Sequence, residues 1–103
     1  MVSAYEVIEE IKKAGGKIKR GLNETIKAVE RGDAKLVFYA SNVNPKELVK
    51  PLPELCKEKG INYIEVDSKE KLGIAAGLNV SAAAIAVVDL GKAEKIVNDF
   101  LKK

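Results

Sequence analysis

Apolar positions recur at two spacings along the chain, and the alternation between them predicts a series of helices and strands. Apolar residues three and four apart, as in Val7, Ile8 and Ile11, are typical of the buried face of an α-helix. Unbroken apolar runs such as Leu36–Ala40 are typical of strands covered on both faces. With capping residues, prolines and glycines as boundaries, the pattern predicts helices over 3–15, 23–32, 44–51, 53–60, 67–77 and 91–103, and strands over 17–20, 36–40, 61–66 and 82–88.

Helices and strands alternate throughout, with no internal repeat or linker. This order predicts an α/β fold, a three-layer α/β/α sandwich around a small, largely parallel or mixed sheet of about four strands. A length of 103 residues suits one domain over 1–103, and 47% apolar with 32% charged residues is ordinary for a folded globular chain. Folds of this class usually bind ligands at the loops that leave the carboxyl ends of strands.

The cysteine count, the N-terminal pattern and the apolar stretches indicate the cellular compartment. A single cysteine, Cys56, excludes an internal disulfide framework and fits a reducing cytoplasm. The N-terminus is an amphipathic, acid-containing helix, so we expect no signal peptide. The longest apolar stretch, over 72–88, is interrupted by two glycines, an asparagine and a serine, and is better divided into helix, loop and strand than taken as a membrane span. The sequence therefore predicts a cytoplasmic protein without membrane association.

Catalytic and metal-binding patterns are missing. Histidine is absent, which removes the commonest general base and metal ligand. One cysteine gives no zinc spacing, and Ser41, Ser68 and Ser81 lie in no G-x-S-x-G elbow. Gly15-Gly16-Lys17 lacks the spacing and the following Ser/Thr of a P-loop. We therefore expect a protein that is not an enzyme and needs no metal or cofactor.

Positive charge is concentrated in one part of the chain. Positions 12 to 31 hold seven basic and two acidic residues, a local net charge of +5, whereas the remainder carries −2. A local basic patch is the expected footprint of a polyanion site, although a solvated lysine-rich face has the same composition. The basic residues of this segment are Lys12, Lys13, Lys17, Lys19, Arg20, Lys27 and Arg31.

The helix predicted after Gly21 presents two stripes. Asn23 is a natural N-cap, because its side-chain oxygen can accept a hydrogen bond from an amide of the first turn. Apolar residues four and three apart predict a face buried in the core: Leu22, Ile26 and Val29. Charged residues at the same spacing form a second stripe that we interpret as the working surface: Arg20, Glu24, Lys27 and Arg31.

Glu24 is the informative member of that stripe. A helix N-terminus attracts anions, so a site for phosphate alone would gain nothing from a carboxylate there. A carboxylate among cations is useful if it accepts hydrogen bonds from the amino and imino groups of a base edge, while Lys27 donates to guanine acceptors and Asn23 does either. Such edges are accessible in RNA where pairing is irregular. The alternative is that Glu24 favours the helix dipole and pairs with Lys27.

Two other modes of nucleic-acid binding have less support. Reading of DNA by a recognition helix is disfavoured, because the basic helix begins with an acid and offers only two long cations. Base stacking on aromatic strands is disfavoured as well, because the aromatic residues fall at positions where core packing is the favoured interpretation: Tyr5, Phe38, Tyr39, Tyr63 and Phe100.

Residues 21–32 read Gly-Leu-Asn-Glu-Thr-Ile-Lys-Ala-Val-Glu-Arg-Gly. This run closely resembles the G-x-N-E-x-x-K-A-V-E-R-G signature of archaeal kink-turn-binding ribosomal proteins of the L7Ae and L30e type. The resemblance continues over 34–37, 52–59, 72–77 and 78–84, and so covers nearly the whole chain. It implies an α/β/α sandwich that binds the kink-turn, an RNA bulge flanked by tandem sheared G·A pairs.

The resemblance also implies a role for each matching residue. Asn23, Glu24 and Lys27 would read the guanines of the G·A pairs, and Lys19, Arg20 and Arg31 would hold phosphates. The loop over 78–81 would cover the flipped-out bulge nucleotide, with Leu78 and Val80 as its apolar surface. The implied RNA-binding residues are Lys19, Arg20, Gly21, Leu22, Asn23, Glu24, Lys27, Arg31, Leu78, Asn79, Val80 and Ser81.

Proteins of this type serve the large ribosomal subunit, box C/D and H/ACA guide RNA particles, and archaeal ribonuclease P. The resemblance thus implies a non-catalytic assembly factor that meets other ribonucleoprotein proteins and is a monomer without RNA. A protein-interaction module of the same fold without specific RNA binding is the main alternative. A small-molecule or enzymatic role ranks third and would require a deep pocket lined with titratable groups.

The chain also departs from the family pattern. Leu22 replaces a smaller residue, and Asn79 and Ser81 stand where Glu and Pro are frequent. Ser41-Asn42 replaces an acidic pair after the central strand, and Asn42 is similar to the L30e branch. These positions bear on which RNAs and partner proteins are used.

Overall fold

The computed structural model describes residues 3–102, in which helices and strands alternate in the predicted order. Two short 3₁₀ segments, Lys46–Leu48 and Gly91–Ala93, accompany the regular elements. The elements are α1 (Ala4–Lys13), β1 (Lys17–Arg20), α2 (Leu22–Glu30), β2 (Leu36–Ala40), α3 (Pro51–Lys59), β3 (Asn62–Val66), α4 (Lys69–Ala75), β4 (Ala84–Asp89) and α5 (Glu94–Leu101).

The four strands form one mixed sheet in the order β1-β4-β2-β3. β2 and β3 are parallel, and β4 is antiparallel to β1 and to β2. In this register Arg20 lies opposite Ile85, and Tyr39 lies between Ala84 and Glu65. The carboxyl ends of β1, β2 and β3 and the start of β4 therefore meet at one side of the sheet, which we call the carboxyl edge. The predicted α/β class with a small mixed sheet is confirmed.

Helices cover both faces of the sheet. On one face, α1, α4 and α5 contribute Val7, Leu72 and Val97 to a cluster with the fully buried Phe38 and Ile85. On the other face, α2 and α3 pack on β2 and β4 through a smaller cluster that consists of Ala28, Val29, Ala34, Val37, Cys56 and Ala86. On β2, Val37 belongs to the smaller cluster while its neighbours Leu36 and Phe38 belong to the larger one, and Ala86 of β4 likewise differs from its neighbours. The sheet is therefore the middle of three layers, as predicted.

No helix within residues 3–102 has the length and apolar character to cross a membrane. The apolar stretch over 72–88 divides into the end of α4, a loop over 76–83 and most of β4. Its predicted division into helix, loop and strand is confirmed.

The connection between β2 and α3 differs from the prediction. The helix expected over 44–51 is wrong: only the 3₁₀ segment Lys46–Leu48 forms, and Asn44 supplies no side-chain cap. The backbone amide of Val49 donates to the carbonyl of Lys46, a bond three residues back. An α-helix cannot continue from there, because Pro51 has no N–H for the carbonyl four residues earlier. Pro51 instead occupies the first turn of α3, where a missing N–H costs nothing.

Other boundaries shift by one to three residues. Ser68, not Asp67, caps α4, with its hydroxyl accepting from the amide of Lys71 at 3.1 Å. β4 begins two residues later than predicted, and the last helix starts as the 3₁₀ segment Gly91–Ala93. Ile96, an apolar residue of this last helix, is 37% exposed. Lys103, the last residue of the predicted helix, lies outside the described residues.

Candidate nucleic-acid interface

The start of α2 is built on Gly21, not on Asn23, so the predicted Asn23 cap is wrong. Gly21 has φ +100°, a backbone conformation that side chains with a Cβ rarely adopt. Its amide donates to the carbonyl of Ala84 at 3.0 Å, and its carbonyl accepts from the amide of Thr25 at 3.0 Å. Asn23 is therefore the second residue of the helix. It is exposed, and it makes no side-chain hydrogen bond within residues 3–102.

With Gly21 as the N-cap, Glu24 occupies the third helical position, where a capping-box acid would stand. A capping-box bond would need the amide of Gly21, which is already used by Ala84 on β4. Glu24 instead lies 3.6 Å from the Nζ of Lys27, and both side chains are about half exposed. This pairing is the alternative considered from the sequence. An exposed ion pair contributes little and leaves both groups able to exchange partners.

The inner face of α2 differs in part from the prediction. Val29 is buried as expected, but Leu22 and Ile26 are only half-buried and pack at the margin of the larger cluster. Thr25 is fully buried, and its hydroxyl donates to the carbonyl of Gly21 at 2.8 Å. Threonine in a helix often donates its hydroxyl to the carbonyl four residues earlier. This preference is the one feature of the sequence from which the burial of Thr25 could have been predicted.

The structure brings four of the predicted site residues together beside α2. Lys19 on β1 and Glu24, Lys27 and Arg31 along α2 line one shallow depression with Asp33. Its volume of about 40 Å³ is far below that of a small-molecule pocket, commonly about 300–1,000 Å³. The depression is suited to contacts with the surface of a large ligand.

Arg20 is separated from this group by its contacts. Its Nε donates to the carbonyl of Ala76 at 2.6 Å, and its Nη1 donates to the carbonyl of Ile18 at 3.2 Å. Ala76 is the C-cap of α4, where the helix dipole favours a cation. Arg20 thus joins the end of β1 to the loop that follows α4.

That loop is attached closely to α4. The amide of Leu78 donates to the carbonyl of Gly73 at 2.8 Å, and a Cβ placed on Gly73 would lie only 2.0 Å from the carbonyl oxygen of Val80. Leu78 is half-buried against the larger cluster, whereas Val80 is 67% exposed. Asn79 and Ser81 are exposed beside it. The loop therefore has a fixed backbone and presents one apolar and two polar side chains to solvent.

The start of α2 and the loop lie on either side of the first residues of β4. The amide of Gly21 donates a hydrogen bond to the carbonyl of Ala84, and the amide of Ala40 donates to that of Ala83 at 2.9 Å. The side chain of Arg20 donates to the carbonyl of Ala76. Arg20 and Gly21, from the first predicted stretch, thus meet the loop that carries residues 78–81 at the carboxyl edge, whereas Arg31 lies at the other end of α2, beside Val88 near the end of β4.

The Ser41-Asn42 departure has a structural role at the same edge. The Oδ1 of Asn42 accepts from the amide of Lys69 at 2.8 Å, and its Nδ2 donates to the Oε1 of Glu70 at 3.1 Å. This hydrogen bond is the largest cause of a lowered pKa at Glu70. Asn42 therefore fixes the first turn of α4, a role that the sequence pattern alone did not reveal.

Comparisons with known proteins agree with this geometry. Residues 3–97 match the family model of the ribosomal protein L7Ae/L30e/S12e/Gadd45 family, a range that includes both α2 and the loop after α4. The solved structure of the Giardia lamblia 15.5kD RNA binding protein is similar to this chain with a TM-score of 0.86 and 31% sequence identity. The similarity covers 95% of this chain and 81% of that one.

Proposed function

The chain belongs to the ribosomal protein L7Ae/L30e/S12e/Gadd45 family, and we propose that it is a non-catalytic RNA-binding protein that recognises kink-turns and stabilises their kinked form. RNA as the partner is supported by the family and by the 31% identical RNA-binding protein of Giardia lamblia. Stabilisation of the kink requires only that the protein makes contacts to the bent RNA that it cannot make to the straight one.

The observation that carries the proposal is the free amide and carboxylate at the start of α2. Asn23 is unbonded and Glu24 is held only by an exposed ion pair, beside a depression flanked by Lys19 and Arg31. An amide and a carboxylate can recognise the donors and acceptors of base edges, whereas the cations attract the sugar–phosphate chain without reading sequence. Sheared G·A pairs present such edges.

The loop after α4 supplies the second part of the proposed interface. Val80 is exposed on a backbone that Gly73 and Arg20 hold in place, and Leu78 lies at its base. An apolar side chain on a rigid loop suits contact with the flat face of an unpaired nucleotide. We propose that this loop covers the flipped-out nucleotide of the bulge.

The wider setting is part of the same proposal. We propose one RNA-binding domain over 1–103, a cytoplasmic location, a monomeric state without RNA, and assembly with ribonucleoprotein proteins on the RNA. The candidate RNAs are ribosomal RNA of the large subunit, box C/D and H/ACA guide RNAs, and the RNA of archaeal ribonuclease P.

The test is a calorimetric titration of a kink-turn RNA and of the same helix with its G·A pairs changed to Watson–Crick pairs. Wild-type protein should prefer the kink-turn. Glu24→Ala should reduce that preference by about 1–3 kcal/mol, the value of a good base-edge contact. Glu58→Ala removes another exposed acid, from α3 and outside the lining of the depression, and should leave the preference intact.

Equal affinity of the wild-type protein for both RNAs would reject the kink-turn proposal. Indifference to RNA altogether would favour the protein-interaction module of the same fold. That alternative calls for an extensive exposed apolar patch at the loop, whereas Leu78 is half-buried and Val80 is the large exposed apolar residue there.

A further inference from the structure

A second concave surface opens at the carboxyl edge, beyond β4. The ends of β2 and β3, the 3₁₀ segment Lys46–Leu48 and the start of α3 enclose a cleft of about 450 Å³. Its size is within the range of about 300–1,000 Å³ for small-ligand sites. It lies on the far side of β2 from the depression beside α2, and it shares no residue with that depression.

Tyr39 forms the floor of this cleft with an unused hydroxyl. The residue is only 9% exposed, and its hydroxyl makes no hydrogen bond within residues 3–102. Every fully buried side-chain nitrogen or oxygen of the described residues has a partner, so this hydroxyl is in part exposed, on a residue that lines the cleft. Burial and the neighbouring Glu65 carboxylate raise the pKa of Tyr39, so the hydroxyl stays protonated and able to donate at neutral pH.

The cleft walls carry charges that have not neutralised one another. Lys46 and Lys50 lie on the wall formed by the connection to α3, together with Glu47, while Glu65 follows from β3. Neither of the two ion pairs found within residues 3–102 involves these four side chains. They are exposed and available to a ligand that carries both anionic and hydrogen-bond-donating groups.

The combination of groups matches a nucleotide. Ammonium groups suit a phosphate, carboxylates accept from ribose hydroxyls or an exocyclic amine, and the Tyr39 hydroxyl can donate to a base carbonyl or ring nitrogen. The side chains of Val49 and Pro53 add an apolar wall against which a base can lie. Because the two lysines are balanced by two glutamates, we expect the cleft to bind a free phosphate ion only weakly.

We propose that this cleft binds one unpaired nucleotide of the RNA, next to the kink-turn site on the same edge. The inference rests on the proposed function for the presence of RNA. Strands are spaced about 4.8 Å apart, so Tyr39 on β2 lies about 10 Å across the sheet from Arg20 on β1. A nucleotide tethered to RNA that is already bound nearby is presented to the cleft at a high effective concentration. Even a cleft with low intrinsic affinity can therefore be occupied.

The experiment compares a blunt kink-turn RNA with four RNAs that carry a three-nucleotide single-stranded extension on one strand end each. One extended RNA should bind the wild-type protein about tenfold more tightly than the blunt RNA, within the range for one stacked base. Tyr39→Phe and the double change Lys46→Gln/Lys50→Gln should each remove most of this gain and leave affinity for the blunt RNA unchanged.

Matched controls separate the cleft from general effects. Tyr63→Phe removes a hydroxyl from a half-buried tyrosine whose ring lies 6.4 Å from that of Tyr39 but outside the cleft lining. Lys57→Gln/Lys59→Gln removes two exposed charges at the end of α3. Both controls should keep the gain from the extension. The paired lysine variants alter only exposed side chains, so folding is not at risk.

The proposal is overturned if no extension strengthens binding, or if the gain survives both cleft variants. The two proposals fail in distinguishable ways. A protein that prefers the blunt kink-turn over its Watson–Crick control but ignores every extension contradicts the cleft alone. A protein without that preference, yet with an extension effect that depends on Tyr39, contradicts the kink-turn proposal alone.

Discussion

The predicted phosphate-binding cations and Lys27, all within residues 19–31, fall into two groups by what their side chains contact. Lys19, Lys27 and Arg31 are exposed around one depression, whereas Arg20 donates two hydrogen bonds to backbone carbonyls. Lys19 and Arg31 can reach a phosphate without giving up an internal hydrogen bond or ion pair, and Lys27 gives up only its exposed ion pair with Glu24. Arg20 cannot do so with its Nε while it holds Ala76. Its larger effect on RNA binding should therefore come from positioning the loop after α4.

Arg20→Lys tests this distinction, because lysine keeps the charge but lacks the planar set of donors. Loss of the bond to Ala76 should lower the free energy of unfolding by about 1 kcal/mol, measured by urea denaturation. Affinity for the kink-turn RNA should fall, while its dependence on salt should keep the wild-type slope since no charge is lost. Lys19→Arg is the control and should change neither stability nor the slope. Unchanged stability and affinity in Arg20→Lys would assign Arg20 to phosphate contacts instead.

At the scale of elements, local pattern accounts for the order of helices and strands, and tertiary contacts account for the details at the site. The run Leu36–Ala40 reads as a buried strand from the sequence and is one. The cap of α2 was misassigned because the helix begins where the Gly21 amide bonds to Ala84, sixty-three positions away, with a φ of +100° that favours glycine. No local pattern contains that bond. Tyr39 was correctly expected in the core, but apolar patterning gives no sign that its hydroxyl opens into a cleft.

Gly73 in α4 is another residue whose role depends on a tertiary contact that local sequence pattern does not reveal. Alanine is normally better than glycine in a helix by about 1 kcal/mol, so Gly73→Ala should stabilise α4 on propensity alone. The added Cβ would lie 2.0 Å from the carbonyl oxygen of Val80, however, and the loop or the helix must move. We expect a net loss of about 1–3 kcal/mol in the free energy of unfolding, together with weaker kink-turn binding.

Urea denaturation and RNA titration of Gly73→Ala measure both effects. Ile74→Ala is a fitting control, because it lies on the same helix with a side chain that is 70% exposed and should alter stability little. A stabilised Gly73→Ala protein with wild-type affinity would show that the loop tolerates displacement and is not held as described.

At the scale of the whole molecule, polar contacts at the carboxyl edge join helices α1 and α4 to the ends of strands, in addition to the apolar core that packs the layers together. The hydroxyl of Tyr5 on α1 donates to Asp67 at the end of β3, and the amide of Ser68 donates back to that hydroxyl at 3.1 Å. Asn42 ties the end of β2 to the first turn of α4. The edge proposed to meet RNA is thereby held by side chains from three elements, in addition to the sheet itself.

These contacts predict an acid-sensitive part of the stability. The hydrogen bond from Tyr5 is the largest cause of a lowered pKa at Asp67, and the one from Asn42 has the same effect at Glu70. A carboxyl group with a lowered pKa in the folded state stabilises the fold above its unfolded pKa, near 4, and loses that contribution as the pH falls through the folded value. Tyr5→Phe removes the cause at Asp67. Its stability deficit relative to wild type should therefore shrink as the pH falls from about 5 to about 2.

Urea midpoints across this pH range provide the measurement for Tyr5→Phe. Tyr63→Phe serves as the control, since it deletes a tyrosine hydroxyl that makes no hydrogen bond to Asp67. A deficit of constant size at every pH would mean that Tyr5 stabilises by packing only.

The distribution of charge over the whole molecule predicts how RNA binding responds to salt. The segment over 12–31 carries a net charge of +5, and Arg31 is exposed at the C-cap of α2 within the depression. If Arg31 neutralises a phosphate, Arg31→Ala should weaken binding to the kink-turn and to its Watson–Crick control alike, and should reduce the slope of log affinity against log salt by about 1. Lys95→Ala removes an exposed charge from α5, in the layer opposite α2, and should leave the slope unchanged. An Arg31→Ala protein that loses discrimination between the two RNAs while keeping the wild-type slope would place Arg31 at a base edge and require the division of roles along α2 to be redrawn.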